Sequence, residues 1–424
     1  MSDDQSEPGR FNSVGTTERS GVRLSAAPAP APAPATRPVR GGDSTAADGG
    51  SAPRRLDSLT GIRFLAAFFV FMFHMSLVVF DPFSSGPLRR VFGDTFASGG
   101  WVGVSLFFVL SGFVLTWTAK PQVPTRPFWR KRLLKIFPTH AATWVITMVA
   151  VPGTGALVAV TNLSLLHTWV PVHSFFMSVN SPSWSLCSEL LFYLLFPFLL
   201  PLVRKIPRGH LVTAVLAMLA VTVAVQLLAQ LLPARPLAPE GYPISVLRYW
   251  LVYYFPLSRL PEFVVGMLVC RLVRETRLLR VNVGLAALLV VGGYVLDSFV
   301  PFELSLVTVE LLPIAILVGA LASADTARLS RILRTRLFQW LGNVSFGFYM
   351  SQAPVIIYLR LTVMKGKLYS TPEAIGVVVM LFAVTLALGA LMHHGVENPS
   401  MRRWAKSRKA LPSATPASAA GGVS

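Results

Sequence analysis

From Leu59 onward the chain is a succession of apolar stretches about 18–22 residues long. A helix of that length crosses the ~30 Å of hydrocarbon in a bilayer. Ten are expected, at 62–80, 101–118, 139–160, 184–203, 211–232, 248–270, 281–299, 303–321, 340–362 and 374–394. Only the turn Val300-Pro301-Phe302 separates the seventh from the eighth. The expected fold is therefore all-α, a polytopic membrane protein built as a bundle of about ten transmembrane helices. Composition agrees: 53% of the residues are hydrophobic and 13% charged, against roughly 25% charged in soluble domains. A soluble enzyme, a coiled coil and a disordered chain are excluded. Two cysteines rule out a disulfide scaffold or a Cys-rich zinc module; Cys187 and Cys270 lie in apolar runs and read as small buried hydrophobes.

Residues 1–55 are rich in Pro, Ala, Gly and Ser, with an Ala-Pro run near 27–35. They read as a disordered cytoplasmic tail, and no apolar stretch before Leu59 suits a signal peptide. The expected transmembrane domain is 56–403, and 404–424 reads as a flexible tail, basic and then Ala/Ser-rich. The net charge of +19 comes from placement. With both ends in the cytoplasm, 30 of the 38 Lys and Arg fall on the inner side, as the positive-inside rule requires. Arg271, Arg274, Arg277 and Arg280 fill one short inner loop, while 161–183 has neither Lys nor Arg. The charge thus marks topology and attraction to anionic lipid, not nucleic acid. The expected location is the cytoplasmic membrane, multi-pass.

Ionisable groups at membrane depth need a partner or a function. The first stretch runs from Arg63 to His74 with only apolar residues between, which sets the two about 16 Å apart along a helix. Arg63 suits an anion near the inner interface, and His74 suits general-base work or a bond to a neighbouring helix. Gly99 and Gly103 allow close helix packing. The segment 126–138, read as a loop, carries Arg130, Lys131, Arg132 and Lys135 beside Trp129; it fits the phosphates of coenzyme A or a lipid anchor. Trp184-Ser185-Leu-Cys-Ser188-Glu189 places a carboxylate about one turn into a helix, as a structural group or a site residue. Arg259 and Glu262 are i,i+3 and can pair, with substrate binding as the other reading. Asp297 and Glu310 read as helix-end or packing residues, and His167 and His173, in the outer loop, as plain surface or as lining of an acceptor cleft. No Walker loop, Gly-x-Ser-x-Gly, His-Glu-x-x-His or metal-spaced Cys pair occurs; no metal site is expected.

These segments, in order, resemble the acyltransferase-3 family of integral membrane O-acyltransferases. The resemblance runs from about Leu56 to Arg403. It rests on Leu56-Asp57-x-Leu59-x-Gly61-x-Arg63-Phe64 leading to His74, Gly103-Val-x-x-Phe-Phe-Val-Leu-Ser-Gly-Phe113, the basic segment ending Ile136-x-Pro138, and Trp184-Ser-Leu-x-x-Glu189-x-x-Phe-Tyr193. It continues through Arg259-x-x-Glu262-Phe-x-x-Gly266, Leu341-Gly-x-x-Ser345-Phe-x-x-Tyr349 and Glu397-x-Pro399. Two positions depart from the family pattern: Lys135 replaces an Arg, and Gln352 stands where a His is usual.

The resemblance implies transfer of an acyl group, other than aminoacyl, from cytoplasmic acyl-CoA, a co-substrate and not a tightly bound cofactor. The acceptor would be a hydroxyl of a glycosylated molecule: a small natural product such as a macrolide sugar made in antibiotic biosynthesis, or a surface polysaccharide. The lack of an appended soluble domain tilts the expectation to the former. Arg63, Arg130, Arg132 and Lys135 would bind the donor. His74 would deprotonate the acceptor or take the acyl group first, and Glu189 would steady the imidazolium or the acceptor. Trp184, Ser185, Arg259 and Glu262 would bind substrate. Membrane lipid and acyl-CoA are the other expected partners. The alternative is a transporter or flippase of a glycolipid or antibiotic.

Overall fold

The computed structural model describes residues 56–327 and 332–404. The expected tails at 1–55 and 404–424 lie outside those residues, Trp404 excepted. Among the described residues the chain is helical, with two isolated β-bridges and no strand. The main helices are α1 (Asp57–Ser76), α2 (Pro87–Phe96), α3 (Gly99–Thr118), α4 (Thr125–Ala150), α5 (Trp184–Lys205), α6 (Leu211–Ala229), α7 (Leu260–Glu275), α8 (Val283–Leu296), α9 (Thr308–Thr326), α10 (Arg336–Ile356) and α11 (Thr371–Met392).

Seven helical stretches among the described residues are long and apolar enough to cross a membrane: Asp57–Ser76, Pro87–Thr118, Thr125–Ala150, Ser181–Lys205, Arg208–Ala229, Phe302–Thr326 and Thr371–Arg403. Three of the ten expected stretches fall short for different reasons. The 248–270 stretch is broken: a π-helical turn at Trp250–Tyr254 precedes Pro256, and α7 starts only at Leu260. The 281–299 stretch is apolar but short. The helix α10 is long enough, but Gln339, Asn343, Ser345, Ser351 and Gln352 dilute its apolar character.

The basic segment at 126–138 is not a loop. It forms the first half of α4, which continues through Pro138 to Ala150. Pro127 is tolerated in the first turn, where an N–H has no helical partner, and Arg, Lys and Leu are good helix formers. The helix then stops ahead of Pro152-Gly153, ten residues before the expected end at 160.

The bundle closes through glycine. A side chain at Gly103 would strike the Ala66 carbonyl of α1, and one at Gly112 or Gly266 would strike the facing backbone of α7 or α3. These contacts draw α1, α3 and α7 together, and α10 packs between α1 and α11. Large apolar side chains left outside, among them Leu216, Leu227, Leu288, Val291, Val379 and Val384, form the face a bilayer would wet.

Candidate active site

Side-chain stripes on α1, α5 and α10 build the site, and α3 and α4 complete the first pocket. On α1, Arg63 and His74 are eleven residues apart, close to three turns, and so share a face. Leading into α5, Ser181 is followed at four-residue steps by Ser185, Glu189 and Tyr193, one stripe of the helix. On α10, Phe346, Tyr349, Ala353 and Ile356 make a matching stripe. The stripes line two pockets in succession. The larger, about 520 Å³, is bounded by Arg63, Lys135, Ser185, Glu189, Tyr193, Phe346 and Tyr349, among others. The smaller, about 200 Å³, is bounded by His74, Phe80, Ser181, Ala353, Ile356 and Ile357.

Of the residues singled out from sequence, Arg63, Lys135, Glu189 and Ser185 come together in the first pocket. His74 lines the second, so the two residues expected to work as a catalytic pair face different pockets. The partition between them is polar. Ser185 Oγ lies 2.9 Å from the Tyr349 hydroxyl, and both reach the Pro182 carbonyl, at 3.0 and 3.1 Å.

The imidazole partner is Gln352. Its Nε2 donates to the Ala67 carbonyl at 3.0 Å, which turns its Oε1 toward His74 Nδ1 at 2.8 Å. An amide oxygen only accepts, so Nδ1 carries the proton and Nε2 keeps its lone pair. Gln352 was marked only as a departure from the family pattern; its neutral amide sets the tautomer of the ring. Its position after Tyr349 was the one signal in the sequence.

The basic stretch of α4 divides by helical phase. Lys135 reaches the first pocket, ion-paired with Glu397. Arg132 stands one ring behind it, its guanidinium 5.4 Å from the Phe128 ring centre and 5.8 Å from that of Tyr193. Arg130 is exposed, in a shallow groove with Arg126, Trp129, Leu133 and Leu134. Trp184, Arg259 and Glu262 line neither pocket. Arg259 and Glu262 are fully buried and paired at 2.9 Å; Arg259 also donates to Ser105 Oγ at 3.3 Å. Its guanidinium sits among the rings of Phe108, Trp184 and Tyr253. These residues form the wall behind Phe108 and Ser185.

Two outer-loop histidines differ from expectation. His167 is buried, 3.5 Å from Ser183 Oγ and from Cys187 Sγ, because the segment 161–183 folds inward around Asn162 and Asn180. His173 is half-buried and paired with Glu240 at 2.7 Å. Cys187 and Cys270 are free and buried.

A family model described as an acyltransferase domain matches residues 56–394. The chain belongs to the acyltransferase-3 family. It is 33% identical over 377 residues to an acyltransferase, MdmB, of Streptomyces mycarofaciens, covering 86% of this chain and 96% of the relative. It is 25% identical to a putative peptidoglycan O-acetyltransferase, YrhL, of Bacillus subtilis, and 22% identical to the peptidoglycan O-acetyltransferase OatA of Listeria monocytogenes. Those matches cover 82% and 81% of this chain but only 55% of each relative. No solved structure matches the chain. As a member of the acyltransferase-3 family the protein is an O-acyltransferase, and its apolar helices make it a membrane protein; the transporter alternative gives way to the enzyme.

Proposed function

We propose that the protein moves an acyl group from cytoplasmic acyl-CoA to a hydroxyl of a glycosylated acceptor, with His74 as the base. The observation that carries this reading is the end-to-end order of the two pockets along α1, α5 and α10. A cationic pocket comes first, with Arg63 and Lys135 fit to meet the anionic donor and Glu189 between them and the partition. A pocket holding an imidazole with a free Nε2 comes second. Arg130 and Arg126, on the exposed face of the same helix, would meet the outlying phosphates of the donor.

On this reading the acceptor oxygen attacks the thioester carbon while His74 Nε2 takes the hydroxyl proton. The carbon–sulfur bond then breaks, and the thiolate leaves with a proton returned from the imidazolium. The Nδ1–H bond to Gln352 keeps the ring aligned through both transfers. Bringing the acyl group to His74 requires the Ser185–Tyr349 contact to open.

We further propose a ten-span arrangement in the cytoplasmic membrane with both ends inside, supported by the distribution of Lys and Arg. An acceptor of small glycosylated natural-product type is preferred here over a surface polysaccharide because the chain spans 96% of the acyltransferase MdmB but only 55% of each of the two peptidoglycan O-acetyltransferases. The test uses membranes containing the protein, radiolabelled acetyl-CoA, and two acceptor panels: glycosylated macrolides and peptidoglycan fragments. Label on a macrolide hydroxyl, lost in His74→Ala, is the expected result. Label on peptidoglycan alone overturns the acceptor class, and full transfer by folded His74→Ala overturns the mechanism.

A further inference from the structure

We propose that Glu397 is a positioning residue for donor binding: it holds the Lys135 ammonium at the mouth of the cationic pocket and is itself fixed by His393 and Asn398. The proposal rests on reading that pocket as the donor site.

Lys135 is the one member of the pocket wall contributed by the basic half of α4 whose charge has a carboxylate partner among the described residues. A lysine ammonium on a four-carbon stem has many rotamers, and ordering it costs entropy. The Glu397 side chain, 3% exposed, takes that ammonium on Oε1. Its other oxygen, Oε2, lies 3.3 Å from His393 Nδ1. His393 Nε2 in turn lies 3.1 Å from Asn398 Nδ2. An amide nitrogen donates, so Nε2 accepts, Nδ1 holds the ring proton, and that proton points at Glu397.

The backbone explains why these three groups meet. α11 passes into a π-helical turn at His393–Glu397, and i→i+5 geometry sets Asn398 over His393. Such turns recur at functional sites. The turn packs against α4, so the carboxylate arrives from a helix far away in sequence. Glu397 lines neither pocket; it acts on the donor only through Lys135.

The experiment measures the dissociation constant of radiolabelled acetyl-CoA for the purified full-length wild type, Lys135→Met, Glu397→Gln and the double variant. Glu397→Gln should weaken binding roughly tenfold, the loss of a hydrogen bond to a charged group. The double variant should bind no worse than Lys135→Met, because the two residues act as one unit. Additive losses, or unchanged binding in Glu397→Gln alongside weakened binding in Lys135→Met, would overturn the positioning role and leave the donor site standing. Unchanged binding in Lys135→Met would overturn both. If Glu397→Gln does not yield folded protein, the same cycle with Glu397→Asp, whose carboxylate is drawn back by one methylene, is read by the same criterion of additivity.

Discussion

The Tyr349 hydroxyl and Ser185 Oγ, 2.9 Å apart, join α10 to α5 at the boundary between two pockets. Each residue is the last of its stripe to line the cationic pocket, and the next residues along, Ala353 and Ser181, line the histidine pocket. Both hydroxyls also converge on the Pro182 carbonyl. In Tyr349→Phe that carbonyl keeps the Ser185 hydroxyl, so the fold should lose only about 1 kcal/mol. Thermal unfolding in detergent checks the stability. Acyl transfer should change in kcat with donor affinity held, since the phenol touches the partition and not a cation.

Gln352 offers a sharper test. In Gln352→Leu the imidazole loses the acceptor that fixes its tautomer, and kcat should fall by roughly 10²-fold, within the range general-base catalysis commands. In Gln352→Glu a carboxylate still accepts from Nδ1, so activity should survive better than in Gln352→Leu. Equal activity in wild type and Gln352→Leu would show that the ring orientation does not matter.

The Arg259–Glu262 pair predicts a different pattern. Removing one partner strands a buried charge, so Arg259→Met or Glu262→Leu alone should cost about 3–5 kcal/mol. The double variant should recover most of that loss, because two apolar side chains suit a site walled by Phe108, Trp184 and Tyr253. Comparing monodisperse yield and unfolding temperature across the three variants decides it.

At the cationic end of the bundle, Arg271 holds both oxygens of Glu275 at 2.7 Å and donates to the carbonyls of Val203 and Ile206. The Arg271 hydrogen bonds lower the Glu275 carboxyl below its ordinary 4.5. A lowered carboxyl contributes stability that is fully present above pH 4.5 and fades as the pH drops through the lowered value. Wild type and Glu275→Gln should therefore differ in unfolding temperature at neutral pH and converge in acid.

Much of this was legible in the chain because membrane helices announce themselves by length and apolarity. Positions 57–76, 99–118 and 184–205 sit nearly where hydropathy puts them. What hydropathy misses is polarity inside a helix. The α10 segment carries five polar residues, among them Gln339 and Gln352, which bond main-chain carbonyls of α1, and the 248–270 stretch hides a π turn that an apolar run does not betray. Arg63, Lys135, Glu189 and Ser185 could be picked out as costly polar groups, and they do meet. Their assortment into pockets could not be read, since it depends on helical phase across three separate elements. The absence of Lys and Arg from 161–183 speaks only to its side of the membrane and not to the burial of His167; the segment folds inward around Asn162 and Asn180, which pair with carbonyls and hydroxyls.

Arg360 has its guanidinium committed to the carbonyls of Phe80, Asp81 and Lys367. Phe80 forms one wall of the histidine pocket, while Ile356 and Ile357, one turn before Arg360, form another. A single cation therefore ties together two walls separated by about 280 residues of chain. The spacing of those two walls is thus set by one guanidinium, which spends all three of its nitrogens on main-chain carbonyls.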